Sequence, residues 1–233
     1  EMDNLSRIIA ADHIIVTHIG KKHISTLGSL QTVADEMLKI INPDKKTHWA
    51  ILPNDPHVHS HSLPSDVHFW PKQSPSLPHA SFGSEERGSH MPYRVNFPDG
   101  THHHGQISSG FYYFLDLINI TVKAAWLLNE SSKNIGASLQ NYSPEPMRTE
   151  IWKSPVGNIF INDTYCSDPQ SVDSALKHLT QTGSHGRRIF IFGGIRGKHQ
   201  HLENDYKRIG KAILKANVDC LILFGPHDFL PLI

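Results

Sequence analysis

Short β-branched runs alternate with helically spaced apolar residues in the first quarter of the chain. Residues 3–11 have the pattern of a helix end, and residues 13–17 (HIIVT) form a run typical of a strand. Apolar residues then recur at helical spacing over 30–40, directly after Ser29, which has the chemistry of a helix cap. Residues 49–52 predict a second strand. This order of elements indicates an α/β fold.

The middle of the chain has a different composition. Residues 53–110 are rich in Pro, Ser, His and Gly, which predicts short strands, around 67–69 and 93–95, separated by long loops. Helical spacing returns over 114–129, and a shorter helix is predicted over 132–141. The apolar face of the longer helix comprises Leu117, Ile118, Val122, Ala125 and Trp126.

A Ser-Pro-Glu-Pro stretch at 143–146 reads as a linker. It divides the chain into two predicted domains, 1–143 and 144–233. A parallel sheet is predicted for the second domain, because strands at 158–161, 188–192 and 218–224 alternate with two helices. Asp168-Pro169 is a strong start for the first of these helices, and its buried face comprises Val172, Ala175, Leu176 and Leu179. The second helix carries Leu202, Tyr206, Ile209 and Ile213 on its apolar face.

Ligands of parallel sheets collect at the carboxyl ends of the strands. This rule singles out the segment 158–171, in which a strand delivers Asn162 and Asp163 to its carboxyl end, ahead of the capped helix. A carboxylate in this place can accept hydrogen bonds from ribose hydroxyls or fix a metal-bound water, and the helix amino terminus favours an anion. An ordinary strand, turn and capped helix would give the same pattern. Thr164, Gly193 and Gly225 are predicted at the same edge.

Overall charge excludes some classes of partner. Lys+Arg and Asp+Glu balance at 22 each, so no whole-molecule field would attract nucleic acid or an anionic membrane. The longest apolar runs, such as 218–224, are too short to span a bilayer. Cys166 and Cys220 are too few for a disulfide scaffold and indicate two free thiols in a reducing cytosol.

The 18 histidines are the unusual feature of the composition. His57, His59 and His61 alternate, and on a strand they would share one face that could bind zinc or nickel. A second cluster, 102–104, lies between two glycines. Both clusters lie in loop-like sequence, and solvated loops explain them equally well.

The segment from Asn162 to Ser171 resembles the D-D-S-Y-N-A-N-P-x-S motif of the Mur-type peptide ligases, in the branch that adds D-alanyl-D-alanine to UDP-N-acetylmuramoyl-tripeptide. Ten positions align without a gap. The identical residues are Asp163, Tyr165, Pro169 and Ser171, and the near replacements are Asn162, Thr164, Ser167 and Asp168.

Other segments resemble the same family in the same order along almost the whole chain. Residues 17–29 are similar to T-N-I-G-x-x-H-x-x-x-x-G-S, which puts His23 on the family's magnesium-binding histidine. Asp55 matches the aspartate of a segment near the adenine, and Asn119 opens a segment similar to N-x-x-A-A. Arg148 stands where the family has a phosphate-contacting arginine.

This resemblance implies a partial Mur-ligase central domain followed by a truncated, Rossmann-like carboxyl-terminal domain. It implies a ligase that uses ATP and Mg2+ to convert the tripeptide carboxylate into an acyl phosphate, which the amine of D-alanyl-D-alanine then attacks. Asp55, Asn119 and Asp163 would line the nucleotide, His23 would help to hold the metal, and Arg148 would complete the phosphate site. The expected partners are the UDP-N-acetylmuramoyl-peptide and D-alanyl-D-alanine, without nucleic acid or membrane. A monomer is expected, in a bacterial cytosol or, for a plant source, a plastid.

The chain differs from the family at several functional motifs, and these differences lead to three hypotheses about its function. No G-x-x-x-x-G-K-[ST] occurs in the 233 residues; the segment 193–198 lacks both the first glycine and the final Ser/Thr. Met37 stands where the family carries a carbamylated lysine, and its position on the apolar stripe indicates core packing. We therefore expect a fragment or divergent relative that is inactive as written. A non-catalytic binding module and a histidine-rich metal-binding protein are the other two hypotheses.

Overall fold

The computed structural model describes residues 2–20, 24–41, 47–63, 65–83, 90–108, 114–143, 145–181, 186–195, 202–225 and 229–232. The helices are α1 (Met2–Ile9), α2 (Ile24–Leu27), α3 (Leu30–Leu38), α4 (Pro56–His59), α5 (Leu115–Leu127), α6 (Ser132–Gln140), α7 (Pro169–Gln181) and α8 (Leu202–Lys215). The strands are β1 (His13–Ile15), β2 (Trp49–Pro53), β3 (Val67–Trp70), β4 (His79–Phe82), β5 (His90–Asn96), β6 (His102–Ser108), β7 (Glu150–Lys153), β8 (Ile159–Asn162), β9 (Ile189–Phe192) and β10 (Cys220–Leu223). A 3-10 turn, Leu230–Leu232, follows them.

Two compact units divide the chain. The first contains residues 1–80, 95–103 and 116–136, and the second contains 81–94, 104–115 and 137–233. The domain boundary between 143 and 144 stays a prediction. None of the helices in the described ranges combines the length and apolar character that a bilayer-spanning helix needs.

The first unit is built on the parallel sheet β1-β2-β3. All five residues of β2 are buried, as its central place in the sheet requires. The predicted cap at Ser29 is confirmed, because its hydroxyl accepts the Thr32 N–H at 3.1 Å. Met37 on α3 packs against the core, as its apolar spacing predicted.

Helix α5 differs from its predicted apolar face. Ile118 and Val122 are buried as expected, but Leu117 is 37% exposed and Lys123 is 2% exposed. Residues Ile120 and Ala124 of this helix pack against β2. The predicted face was therefore wrong by part of a turn, and a lysine lies on the buried side.

Most residues of the two histidine clusters lie in regular structure instead of loops. Residues 57–59 lie in the short helix α4, so His57 and His59 do not alternate along a strand. Residues 102–104 begin β6, which belongs to the sheet β4-β5-β6. The loop prediction was therefore wrong for His57, His59 and residues 102–104, whereas His61 lies after the end of α4.

The described residues of the second unit from 145 onwards form two pairs of strands. β9 and β10 are parallel, and α7 and α8 supply the buried residues of their core. β8 pairs instead with β7, in an antiparallel ladder that aligns Glu150 with Asn162. The parallel β9–β10 pair confirms the sequence prediction, but in the described part of the chain β8 belongs to a separate hairpin whose first strand was not predicted.

Candidate functional site

A polar cluster forms where the β7–β8 hairpin ends. Glu150 at the start of β7 accepts two hydrogen bonds on Oε2, one from Asn162 Nδ2 at 3.1 Å and one from the Met147 N–H at 3.2 Å. The Thr164 hydroxyl donates to Asn162 Oδ1 at 2.8 Å. The antiparallel register places these side chains together, because residue 162 lies opposite residue 150.

Asp163 lies at the carboxyl end of β8, where the sequence predicted it. Its Oδ1 accepts the Thr149 N–H at 3.1 Å. Burial raises the pKa of its carboxyl above the usual value, although the hydrogen bonds from Thr149 and the charge of Arg148 oppose the rise. Asp163 accepts its hydrogen bond from the residue that follows Arg148, so the two predicted site residues lie in one cluster.

Arg148 is held in a segment of unusual backbone geometry. Its neighbours Met147 and Thr149 both have positive φ angles, 64° and 52°, which L-residues seldom adopt. The Tyr165 N–H donates to the Met147 carbonyl at 3.2 Å. The Arg148 side chain is exposed, and its guanidinium carbon lies 3.8 Å from the centroid of the Tyr165 ring. This stacking presents a cation to solvent in a fixed place.

The capped start of helix α7 lies shortly after Tyr165 in the sequence and closes the same turn. Asp168 Oδ1 accepts the N–H groups of Gln170 and Ser171, at 2.9 and 3.1 Å, which confirms the predicted cap. The Ser167 hydroxyl donates to the Gly194 carbonyl, and the Ile195 N–H donates to the buried Tyr206 hydroxyl at 3.1 Å. The turn after β8 is therefore tied to the segment that follows β9.

The remaining predicted site residues lie in the first unit or outside the described ranges. Asp55 caps α4, since its Oδ1 accepts the His57 N–H at 2.8 Å. Asn119 on α5 clasps the backbone of Ala80: its Oδ1 accepts the Ala80 N–H at 2.8 Å and its Nδ2 donates to the Ala80 carbonyl at 3.1 Å. His23 lies outside the described residues.

Described histidines of the first cluster have individual partners. His57 Nδ1 lies 2.9 Å from Gln31 Oε1, His59 Nε2 lies 2.8 Å from Asn54 Oδ1, and His61 Nε2 lies 3.0 Å from Asp35 Oδ1. Within the described ranges no group of three or more His, Cys, Asp or Glu side chains is placed to hold a metal ion.

Two functional features escaped the sequence reasoning. Tyr165 matched the motif, but nothing in the spacing placed its ring beneath Arg148. Glu150 was not singled out, although it joins Asn162 to the Met147 backbone. A predicted strand at 150–153 would have revealed the hairpin pairing.

No family model matches the chain. A UDP-N-acetylmuramoyl-tripeptide--D-alanyl-D-alanine ligase of Bacillus subtilis is 23% identical over 236 residues, which cover 97% of this chain and 48% of that protein. The chain thus spans about half the length of the curated relative that it matches.

Solved structures show the same fold. MurF from Acinetobacter baumannii superposes with a TM-score of 0.77 and 18% identity, over 97% of this chain and 49% of that one. MurF ligase from Thermotoga maritima, determined in complex with ADP, has a TM-score of 0.77 and 15% identity, over 99% of this chain and 52% of that one. The resemblance inferred from the motifs is confirmed, and so is the mixed α/β fold with parallel sheets.

Proposed function

Because this chain resembles Mur ligases in sequence and fold over nearly its whole length, we propose that it is part of an ATP-dependent ligase of peptidoglycan precursor synthesis. The enzyme would join D-alanyl-D-alanine to UDP-N-acetylmuramoyl-tripeptide through an amide bond. This chain would contribute a cationic contact for the phosphates and a carboxylate for the ribose.

The cluster of Arg148, Asp163 and Tyr165 carries this proposal. Asp163 and Tyr165 follow the carboxyl end of β8 and match the family motif, and Arg148 precedes β7. A guanidinium offers a planar fork of donors that suits phosphate oxygens. Arg148 would bind the phosphates of ATP, which supplies the phosphoryl group that activates the tripeptide carboxylate. The neighbouring α7 amino terminus is occupied by the Asp168 carboxylate, so the phosphate contact falls to the arginine.

Asp163 would accept hydrogen bonds from the ribose hydroxyls. A carboxylate has about four acceptor positions, and Thr149 uses some of those of Asp163, through its N–H and its hydroxyl. By the same resemblance, Asp55 and Asn119 would line the nucleotide. Each already stabilises its own segment, Asp55 as a helix cap and Asn119 as a backbone clasp.

Magnesium is proposed from the resemblance alone, with His23 as its ligand. Magnesium prefers oxygen ligands in octahedral geometry, and the described residues do not supply a cluster of this kind. We therefore derive no step through the metal. We further propose a cytoplasmic monomer without nucleic-acid or membrane partners; nothing in the comparisons supports the plastid alternative.

An assay of the natural gene product at its full length tests the function. It would be incubated with UDP-N-acetylmuramoyl-tripeptide, D-alanyl-D-alanine, ATP and Mg2+, with ADP release and product mass as readouts. We expect a product heavier by one dipeptide less water, and no ADP when D-alanyl-D-alanine is omitted. The Arg148→Ala variant should lose roughly 10²-fold or more in kcat, as enzymes do when a charge-stabilising donor is removed.

Absence of both ADP and pentapeptide, under conditions in which the Bacillus subtilis ligase is active, would overturn the proposal and favour a non-catalytic binding module. The 233 residues alone contain no phosphate-binding loop, so this polypeptide by itself should not turn over ATP. Measurable amide synthesis by residues 1–233 would refute the expectation that this polypeptide by itself is inactive.

A further inference from the structure

The first unit contains a small cavity of about 80 Å³ beside helix α5. Its volume is far below the roughly 300–1,000 Å³ of typical small-molecule pockets, but it is large enough for an ion or a few waters. The lining residues are Trp70, Pro71, His79, Asp116, Asn119 and Lys123.

Lys123 is the most unusual of these residues. It is 2% exposed, and its Nζ donates to the Lys72 carbonyl at 3.1 Å. An ammonium has three donors, and none of the ion pairs in the described part of the chain gives Lys123 a carboxylate partner. Burying an ammonium without a counter-charge is costly. No described carboxylate forms an ion pair with the Lys123 ammonium, although Asp116 lines the same cavity, so a negative charge bound beside Lys123 Nζ would be stabilised.

His79 adds a second donor to the same cavity. Its Nε2 lies 3.1 Å from the amide nitrogen of Gln73. Because that amide can only donate, the ring nitrogen accepts, and the ring hydrogen resides on Nδ1. Nδ1 is buried, and no described residue accepts a hydrogen bond from it. His79 and Lys123 thus bring an N–H donor and an ammonium to one cavity.

The other polar lining residues limit what can bind. The Asn119 amide is engaged with both backbone groups of Ala80. Asp116 is exposed, so solvent screens its carboxylate, yet its charge still disfavours a multiply charged anion. We propose that this cavity binds one small monovalent inorganic anion, of the size of chloride, between Lys123 Nζ and the His79 ring. The anion site does not require the proposed ligase activity, although Asn119 lines the cavity and is also assigned to the nucleotide above.

Burial lowers the pKa of Lys123, and burial together with the Lys123 charge lowers the pKa of His79. A bound anion would oppose both effects, because it favours the protonated forms.

Bromide provides the structural test. Crystals of the full chain grown with bromide in place of chloride should show an anomalous peak within hydrogen-bonding distance of Lys123 Nζ and His79 Nδ1. The absence of a peak there would overturn the proposal.

Thermal unfolding provides the solution test. The Tm of the chain would be measured in sodium chloride or bromide and in sodium gluconate of equal ionic strength. At a halide concentration ten times the dissociation constant, we expect the halide to raise Tm by about 3 °C or more over gluconate. Lys123→Met should abolish this difference, whereas Lys133→Met, an exposed lysine of the same unit, should retain it.

A bromide peak without halide-specific stabilisation would mean an adventitious ion only and would overturn the site. Should Lys123→Met fail to fold, chloride-35 NMR line broadening by the wild-type chain decides. Line broadening of the chloride signal that is reversed by excess bromide would support the site. The absence of such broadening would overturn the site.

Discussion

The guanidinium carbon of Arg148 lies 3.8 Å from the centroid of the Tyr165 ring. The flanking backbone has two residues at positive φ, so the loop and the ring together fix the position of this cation. An exposed cation–π contact contributes about 0.5–1 kcal/mol, which corresponds to a roughly two- to fivefold change in a rate or binding constant.

We therefore expect Tyr165→Leu to lower kcat/KM for ATP about two- to fivefold in the natural full-length enzyme. Tyr165→Phe is the matched control, because it keeps the ring and should retain most of the activity. Equal losses in the two variants would show that the hydroxyl matters and that the stacking does not. The Tm of each variant checks that the fold is unchanged.

Asn119 contributes to stability through its clasp on Ala80. Asn119→Ala removes two hydrogen bonds and leaves the buried N–H and carbonyl of Ala80 without them. We expect a loss of about 2 kcal/mol in the free energy of unfolding, measured by urea denaturation. Asn134→Ala, at an exposed site on α6, should cost no more than about 0.5 kcal/mol. Similar values for both variants would contradict the clasp.

His178 makes stability depend on pH. It is 1% exposed, and burial lowers its pKa from 6.5 to about 4. Between these values the unfolded chain binds more protons than the folded chain, so stability is retained above about pH 6.5 and falls as the pH drops towards 4. The linked loss is at most about 3 kcal/mol.

His178→Phe should flatten this part of the stability profile, measured by urea denaturation at pH 4.5, 5.5 and 7. The raised pKa of Asp163 acts in the opposite direction, so the relevant quantity is the difference between the variant and wild type. A difference that does not change with pH would refute the assignment to His178.

Gly210 lies in α8, where an alanine would ordinarily stabilise the helix by about 0.5–1 kcal/mol. Here a Cβ would overlap the backbone carbonyl oxygen of Leu232. Since that carbonyl cannot rotate away, we expect Gly210→Ala to lower the free energy of unfolding by about 1–2 kcal/mol. Lys211→Ala on the exposed face is the control. A more stable Gly210→Ala variant would contradict the close approach.

Capping and periodicity account for what was predicted correctly. Ser29 and Asp168 cap helices because a short polar side chain satisfies free N–H groups two or three residues away, which is a local property of the sequence. The position of Asp163 directly after a strand was also predictable, because it depends only on the residues next to it in the sequence. The motif order in the chain was sufficient to identify the fold that the comparisons confirm.

Tertiary structure decided the rest, because it depends on contacts between residues that are distant in sequence. Helical spacing could not reveal that Lys123 lies on the buried side of α5, since its acceptor belongs to Lys72, 51 positions earlier. Nor could it pair β8 with β7 or place Tyr165 beneath Arg148. The sequence showed which residues have chemically active side chains. The packing of the folded chain decided which residues they contact.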